Sequence, residues 1–112
     1  MADVNLARAP IEDGKIDRLR DWFKEMEDRE SEVIETLQHE GVYTETAFIL
    51  ENDRSAYLYI YMEAEDFEKA DKAGDEEAYD IDEEHHEVLG DTLAGDWGGL
   101  ETIGHFTNPT LR

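Results

Sequence analysis

The sequence contains no cysteine and few basic residues. Without cysteine the chain cannot form a disulfide, and it offers neither a thiol nucleophile nor a thiolate metal ligand. Its 10 Lys and Arg residues are outnumbered by 31 Asp and Glu residues, which gives a formal net charge of −21. A field of that sign repels phosphate, so we expect no binding to nucleic acid or to an anionic membrane surface.

Long apolar segments are also absent. The longest strongly apolar run is Ala56–Met62, far short of the roughly 20 residues that a membrane-spanning helix needs. The segment Met1–Pro10 lacks the apolar region of a secretory signal. We therefore expect a cytoplasmic protein.

The apolar content is nevertheless sufficient for a folded core. Hydrophobic residues make up 39% of the 112 residues, and 11 of them are Phe, Trp or Tyr. A chain of this length can bury roughly two-thirds of its surface when it folds. The composition predicts one folded domain over residues 1–112 rather than a disordered acidic chain.

The acidic residues are spread evenly, with 15 in the first half of the chain and 16 in the second. Spread acidity with little lysine and no cysteine is typical of cytosolic proteins from extreme halophiles. Molar salt shortens the Debye length to about 3 Å, so repulsion between surface carboxylates nearly vanishes. The sequence predicts a fold that needs high salt, and the alternative is an ordinary acidic mesophilic protein.

The hydrophobic periodicity predicts the element order β-α-β-β-α-β. The first helix carries an apolar stripe at helical spacing, with one gap at Glu30, and ends before Gly41. A turn-rich segment separates the two middle strands, as in a hairpin. The predicted strands are Val4–Ala9, Val42–Leu50, Ala56–Ala64 and Leu100–Thr107, and the predicted helices are Lys15–Glu40, the short Glu65–Ala73, and Asp82–Leu93.

This order is the ferredoxin-like arrangement, an α+β fold with a four-stranded antiparallel sheet and helices on one face. In the third strand Tyr57, Tyr59 and Tyr61 alternate with apolar residues, so both faces of the sheet need cover. Helices can cover only one of them. We therefore predict a homodimer through the open sheet face, as in a dimeric α+β barrel.

Several segments carry a resemblance to known families. They are the helix entry at Gly14-Lys15 and the segments Leu19–Phe23, Glu40–Glu45, Tyr57–Glu65 and Asp82–Leu89. Together they resemble a family of small proteins of unknown function found in haloarchaea and some bacteria. The layout is more distantly similar to L-rhamnose mutarotase, whose superfamily of dimeric α+β barrels also holds cofactor-independent and haem-degrading monooxygenases. The resemblance implies the same fold and a pocket between helices and sheet.

Two residues are predicted to be catalytic. His85 falls on the inward stripe of the last helix, with the neighbouring His86 at its edge; alternatively, one is a half-buried structural histidine and the other is exposed. Glu30 fills the gap in the first helical stripe, where burial would raise the pKa of its carboxyl toward that of a general acid or base. The alternatives for Glu30 are a helix bend near Arg29–Ser31 or pairing with an arginine.

Four further residues join His86 as predicted ligand-binding residues: Trp22, Tyr59, Tyr61 and Arg8. The aromatic residues could line an apolar pocket with polar handles, or they could belong to the core or the dimer interface. Arg8 could bind an anionic substrate, or it could neutralise Glu30 or Glu45. No metal site is expected, because adjacent histidines lack the spacing of helical metal ligands, and no cofactor is expected.

The functional hypothesis is a small-molecule-binding protein or an enzyme of the isomerase or mutarotase type. One acid and one base are needed for such chemistry, and His85 and Glu30 would supply them. The alternatives are a non-catalytic dimeric module and a cofactor-free monooxygenase that holds a phenolic substrate in an aromatic pocket.

Overall fold

A computed structural model describes residues 2–111. The strands are Asp3–Pro10 (β1), Val42–Glu51 (β2), Ala56–Ala64 (β3) and Gly98–Gly99 (β4). The helices are Ile16–Asp28 (α1), Glu30–Glu40 (α2), Phe67–Asp75 (α3) and Asp80–Thr92 (α4). Within these described residues, no helix is long and apolar enough to cross a membrane.

The strands form one antiparallel sheet in the order β2-β3-β1-β4. The outer pair is therefore formed by the second and fourth strands of the chain, while the first and third are central. This order confirms the predicted ferredoxin-like α+β fold. Gly41 ends α2 with a positive φ of 72°, a conformation that favours glycine, and so it turns the chain directly into β2.

The predicted first helix is in fact two helices. The chain breaks at Arg29, which has φ −110° and ψ 37°. The Arg29 guanidinium binds Glu32 at 2.8 Å, Glu84 at 2.7 Å and Glu25 at 2.8 Å. These carboxylates raise the pKa of Arg29, which in turn lowers the pKa of Glu32 and Glu84. Arg29 thus ties α1, α2 and α4 together where the helix changes direction.

The predicted last strand, Leu100–Thr107, is wrong. Regular pairing with β1 covers only Gly98 and Gly99, and one further hydrogen bond joins the Leu100 amide to the Leu6 carbonyl at 2.8 Å. Beyond it the chain has no regular structure, and Ile103 and Phe106 are 92% and 94% exposed. Its alternating apolar pattern resembles a strand, but these side chains find no surface of their own chain to cover.

The core lies between the helices and one face of the sheet. It is built around Leu19, Trp22, Leu58, Ile81 and Val88, all of which are buried. Because side chains alternate along a strand, β3 presents two different surfaces. The cavity face carries Leu58, Ile60 and Met62 toward the helices; the open face carries Tyr57, Tyr59 and Tyr61 away from them.

Candidate functional site

A cavity of about 1580 Å³ separates the helices from the cavity face of the sheet. It is larger than the roughly 300–1,000 Å³ of most small-molecule pockets, so it can hold a ligand together with water. All four helices and the strands β1, β2 and β3 contribute to its walls. The apolar part of the lining includes Phe23, Met26, Val33, Ile49, Ile60 and Leu89.

His85 lines this cavity from α4 and is held by a neighbouring tryptophan. The Trp22 indole N–H donates a hydrogen bond to Nδ1 of His85 over 2.8 Å. The His85 and Trp22 rings lie edge to edge along this bond, 6.1 Å apart between centroids with 25° between their planes, and Phe23 meets the His85 ring edge-on at 6.0 Å. Burial, with a smaller contribution from His86, lowers the pKa of His85 to about 4. The imidazole is therefore neutral at neutral pH.

His86 and Glu30 also line the cavity, but both are exposed. His86 Nδ1 lies 3.8 Å from a carboxylate oxygen of Glu77. Glu30 is the first residue of α2, directly after the break at Arg29. The helix break therefore accounts for the gap in the apolar stripe, and Glu30 stands at the rim of the cavity rather than in its apolar part.

One wall of the cavity is strongly acidic. Glu40, Glu45, Asp71 and Asp82 all belong to the lining and come from α2, β2, α3 and α4 respectively. Burial, followed by repulsion from the other three carboxylates, raises the pKa of Glu40 to about 7. Glu45 lines the cavity from β2, and its side chain is accessible to water there. The surrounding protein nevertheless desolvates the carboxylate, which raises its pKa as well.

Gly74 on α3 leaves space for the Glu40 carboxylate. A Cβ atom at position 74 would lie 3.2 Å from Oε2 of Glu40, closer than ordinary contact. Among residues 2–111, no three His, Asp or Glu side chains converge in a geometry that could hold a metal ion. Burial and mutual repulsion within the acidic wall raise the proton affinity of Glu40.

Sequence reasoning missed this acidic wall. In a chain with 31 acidic residues, no single carboxylate stands out. The four that matter come from four different elements, so only the packing of those elements brings them together. The one local signal is the position of Glu40, which comes immediately before the helix-ending Gly41 and is thereby directed at the junction of α2 with β2.

The remaining predicted ligand-binding residues lie elsewhere. Arg8, Tyr59 and Tyr61 lie on the open face, because register pairs Arg8 with Tyr59 and Leu6 with Tyr61 across β1 and β3. Arg8 Nη1 is 3.3 Å from the Tyr59 hydroxyl, and its guanidinium lies 4.6 Å from the centre of the Tyr57 ring. The expectation that Arg8 neutralises Glu30 or Glu45 is therefore wrong, since the sheet separates them.

Trp22 is close to the cavity but does not line it. It is 6% exposed and lies behind His85, so it acts on the cavity through that histidine. The expectation that Trp22, Tyr59 and Tyr61 share one pocket is thus corrected. Alternation along β3 directs the two tyrosines away, and α1 directs Trp22 into the core.

The fold and its cavity define an α+β protein of the ferredoxin-like class with a hollow between helices and sheet. The chain belongs to a family of unknown function, DUF6176, whose model matches residues 2–110. No curated protein matches the sequence.

Solved structures from several organisms share the fold. A conserved protein from Methanosarcina mazei Go1 is 19% identical, with a TM-score of 0.59 over 89% of each chain. A putative antibiotic biosynthesis monooxygenase from Nitrosomonas europaea is 10% identical, with a TM-score of 0.60 over 88% of this chain and 86% of its own. L-rhamnose mutarotase from Formosa agariphila is 13% identical, with a TM-score of 0.59 over 94% of this chain and 99% of its own. At these identities the similarity shows the fold alone.

Proposed function

We propose that the protein binds a small, largely apolar molecule in the cavity between the helices and the sheet. The observation that carries the proposal is the cavity itself, an open volume of about 1580 Å³ whose lining combines an extended apolar part with an acidic wall. A protein of this size would ordinarily fill such a space with side chains, because interiors are close-packed. The alternative is a non-catalytic module in which the cavity holds only water.

Two substitutions on neighbouring residues of β2 test this. Ala47 pairs with Ile60 on the cavity face, and Phe48 pairs with Tyr59 on the open face. We expect the neutral dye phenylnaphthylamine to bind the wild-type protein and the Phe48→Trp variant, with increased fluorescence. Ala47→Trp places an indole in the cavity and should weaken binding at least fivefold. Equal binding by both variants would place the dye outside the cavity and contradict the proposal.

A second candidate function is acid–base catalysis of the isomerase or mutarotase type. The observation in its favour is the acidic wall, where burial and the neighbouring carboxylates raise the pKa of Glu40 to about 7, in the range where a general acid or base works best. His85 and Glu30, the pair predicted from sequence, line the same cavity. The cofactor-free monooxygenase hypothesis would use the same apolar lining, with no particular residue in its favour.

Exchange between the anomers of L-rhamnose, followed by NMR in molar KCl, tests this second candidate directly. Catalysis by the protein should fall at least a hundredfold in Glu40→Gln if Glu40 is the acid or base, and Glu30→Gln separates the contribution of Glu30. Exchange at the uncatalysed rate with the wild-type protein would exclude mutarotation of this sugar.

We also propose that the protein is a homodimer through the open face. That face carries Tyr57, Tyr59 and Tyr61, with Phe48 and Leu50 beside them 55% and 50% exposed. The nearly bare side chains of Ile103 and Phe106 lie in the segment that leaves the sheet. Contiguous apolar surface of this kind marks an interaction site, and a second copy would cover both.

Finally, we propose that the protein is adapted to high salt. The charge of −21 makes the compact state repel itself in dilute buffer, and molar salt screens that repulsion. The melting temperature should rise by ten degrees or more between dilute buffer and molar KCl. A melting temperature that is the same in both would refute the proposal, and molar sorbitol serves as the control for a general solute effect.

A further inference from the structure

The hydrogen bond between Trp22 and His85 determines where His85 carries its proton. An indole nitrogen can only donate, so Nδ1 of His85, which lies 2.8 Å from Trp22 Nε1, must be the acceptor. A neutral imidazole has one N–H, and it must then be on Nε2. A protonated ring would place a second N–H on Nδ1, against the indole N–H. The neutral form is also the one that burial favours.

The Nε2 atom reaches the cavity. Among residues 2–111, neither the hydrogen bonds nor the ion pairs include a partner for it. No buried side-chain nitrogen or oxygen in that part of the chain lacks a partner, so Nε2 is not a buried orphan. It lies across the ring from Nδ1, which faces the buried Trp22, while the His85 side chain lines the cavity. The free N–H therefore points into the open space.

We propose that His85 is a fixed hydrogen-bond donor to the cavity ligand, that Trp22 is the residue that positions it, and that the ligand is a neutral, mostly apolar molecule bearing a carbonyl-type oxygen. The inference rests on the proposed binding function. A ligand that displaces water from this N–H without offering it an acceptor would lose a hydrogen bond, so the donor favours a ligand with an acceptor. The cavity lining holds eight carboxylates against two cations, Arg20 and Lys24, so an anionic acceptor such as a carboxylate would meet a net negative charge and be repelled, whereas a carbonyl oxygen would not.

Proton–nitrogen correlation NMR tests the first part. The wild-type protein should show His85 in the Nε2–H form, and Trp22→Phe, which removes the donor but keeps an aromatic ring, should release the preference. Finding the proton on Nδ1 in the wild-type protein would overturn the inference. The spectrum itself reports whether the Trp22→Phe variant is folded. The result for the wild-type protein does not depend on that variant.

Two probes of nearly the same shape test the second part. Acetylnaphthalene carries a carbonyl oxygen where isopropylnaphthalene carries a methyl group. Since they differ in hydrophobicity, the quantity compared is the ratio of their dissociation constants in each protein. His85→Phe should shift that ratio about five- to tenfold toward the hydrocarbon, the size expected for one hydrogen bond. His39→Phe, a matched change at a residue outside the cavity lining, should leave the ratio as in the wild-type protein.

The outcomes separate the two proposals. If the wild-type protein binds both probes and the ratio is unchanged in His85→Phe, the donor role is refuted while binding in the cavity stands. If the wild-type protein binds neither probe, the binding function fails and the ligand class fails with it.

Discussion

The two faces of β3 both carry large side chains, but those side chains meet different surroundings. On the cavity face, Leu58 is fully buried against the helices, and Ile60 and Met62 continue toward the cavity. On the open face, Tyr57, Tyr59 and Tyr61 lie half-buried with no helix above them. One face is therefore used for the core and for a cavity, and the other is the face on which we propose that a partner binds.

The difference between the faces is chemical as well as spatial. The cavity lining includes eight carboxylates, two cations and a neutral histidine, whereas on the open face Arg8 lies against tyrosine rings. A ligand in the cavity meets repulsion if it is anionic. A surface on the open face meets aromatic rings and hydroxyl groups. The proposed ligand and the proposed partner would therefore meet different chemistry on the two faces.

The largest expected effect compares a buried leucine with an exposed phenylalanine. Leu58→Ala should lower the free energy of unfolding by about 2–5 kcal/mol, because Leu58 is 0% exposed and its loss leaves a void in the core. Phe48→Ala, at a side chain 55% exposed, should change it by about 0.5 kcal/mol. Urea unfolding in molar KCl at low protein concentration measures both. Similar losses would show that the open face belongs to the core of the single chain.

The second prediction concerns dimer association, for which we expect the open face to matter more than it does for folding stability. Phe48→Asp places a charge on the open face and should raise the dimer dissociation constant at least tenfold, about 1.4 kcal/mol. Ser55→Asp adds the same charge in the exposed turn between β2 and β3 and should leave association unchanged. Sedimentation equilibrium in molar KCl gives both constants. A monomeric wild-type protein at high concentration would exclude the dimer.

The third effect, similar in size to the second, concerns the acidic wall. The folded-state pKa of Glu40, about 7, lies above the ordinary value of 4.5. The folded state therefore holds more protons between these values, and its stability declines as pH rises from about 4.5 to 7. Glu40→Gln removes this loss and should stabilise the protein at pH 8 by about 1–2 kcal/mol, with little change at pH 4.5.

His85 should act with the opposite sign. Its folded-state pKa of about 4 lies below the ordinary 6.5, so the unfolded chain binds the extra proton and stability rises with pH between those values. The two groups partly cancel in the wild-type protein, and Glu40→Gln should expose the rising slope of His85. Glu87→Gln, on an exposed part of α4, is the control. Equal stabilisation by both glutamine variants in molar KCl would assign the effect to net charge.

Most of the fold was predictable because it depends on local periodicity. β3 has the predicted bounds, Ala56–Ala64, and α2 ends at Glu40, before Gly41 as predicted. The break at Arg29 was not predictable, because the apolar stripe continues on both sides and the ion pairs that hold the turn come partly from Glu84 on α4. The strand predicted at Leu100–Thr107 was wrong for a related reason. A strand forms only where a neighbouring strand pairs with it, and the alternation of apolar residues does not show whether such a neighbour exists.

The site was predictable only in part. The inward phase of His85 follows from its spacing to Ile81 and Leu89 on one helix, and the structure places it in the cavity lining. Its contact with Trp22, 63 residues away in sequence, could not be predicted from the apolar pattern of α1 or of α4. Glu40 and its three neighbouring carboxylates come from separate elements, so their shared effect on a pKa exists only after packing.

The sequence by itself determined the order of elements, the two apolar faces of the central strand and the acidic exterior, because these depend on residue type and spacing along the chain. Only the tertiary structure decided which face the helices cover, where a cavity remains, and which of many carboxylates and aromatic residues surround it. Those outcomes depend on contacts between residues far apart in sequence, and a pattern read along one segment does not contain them.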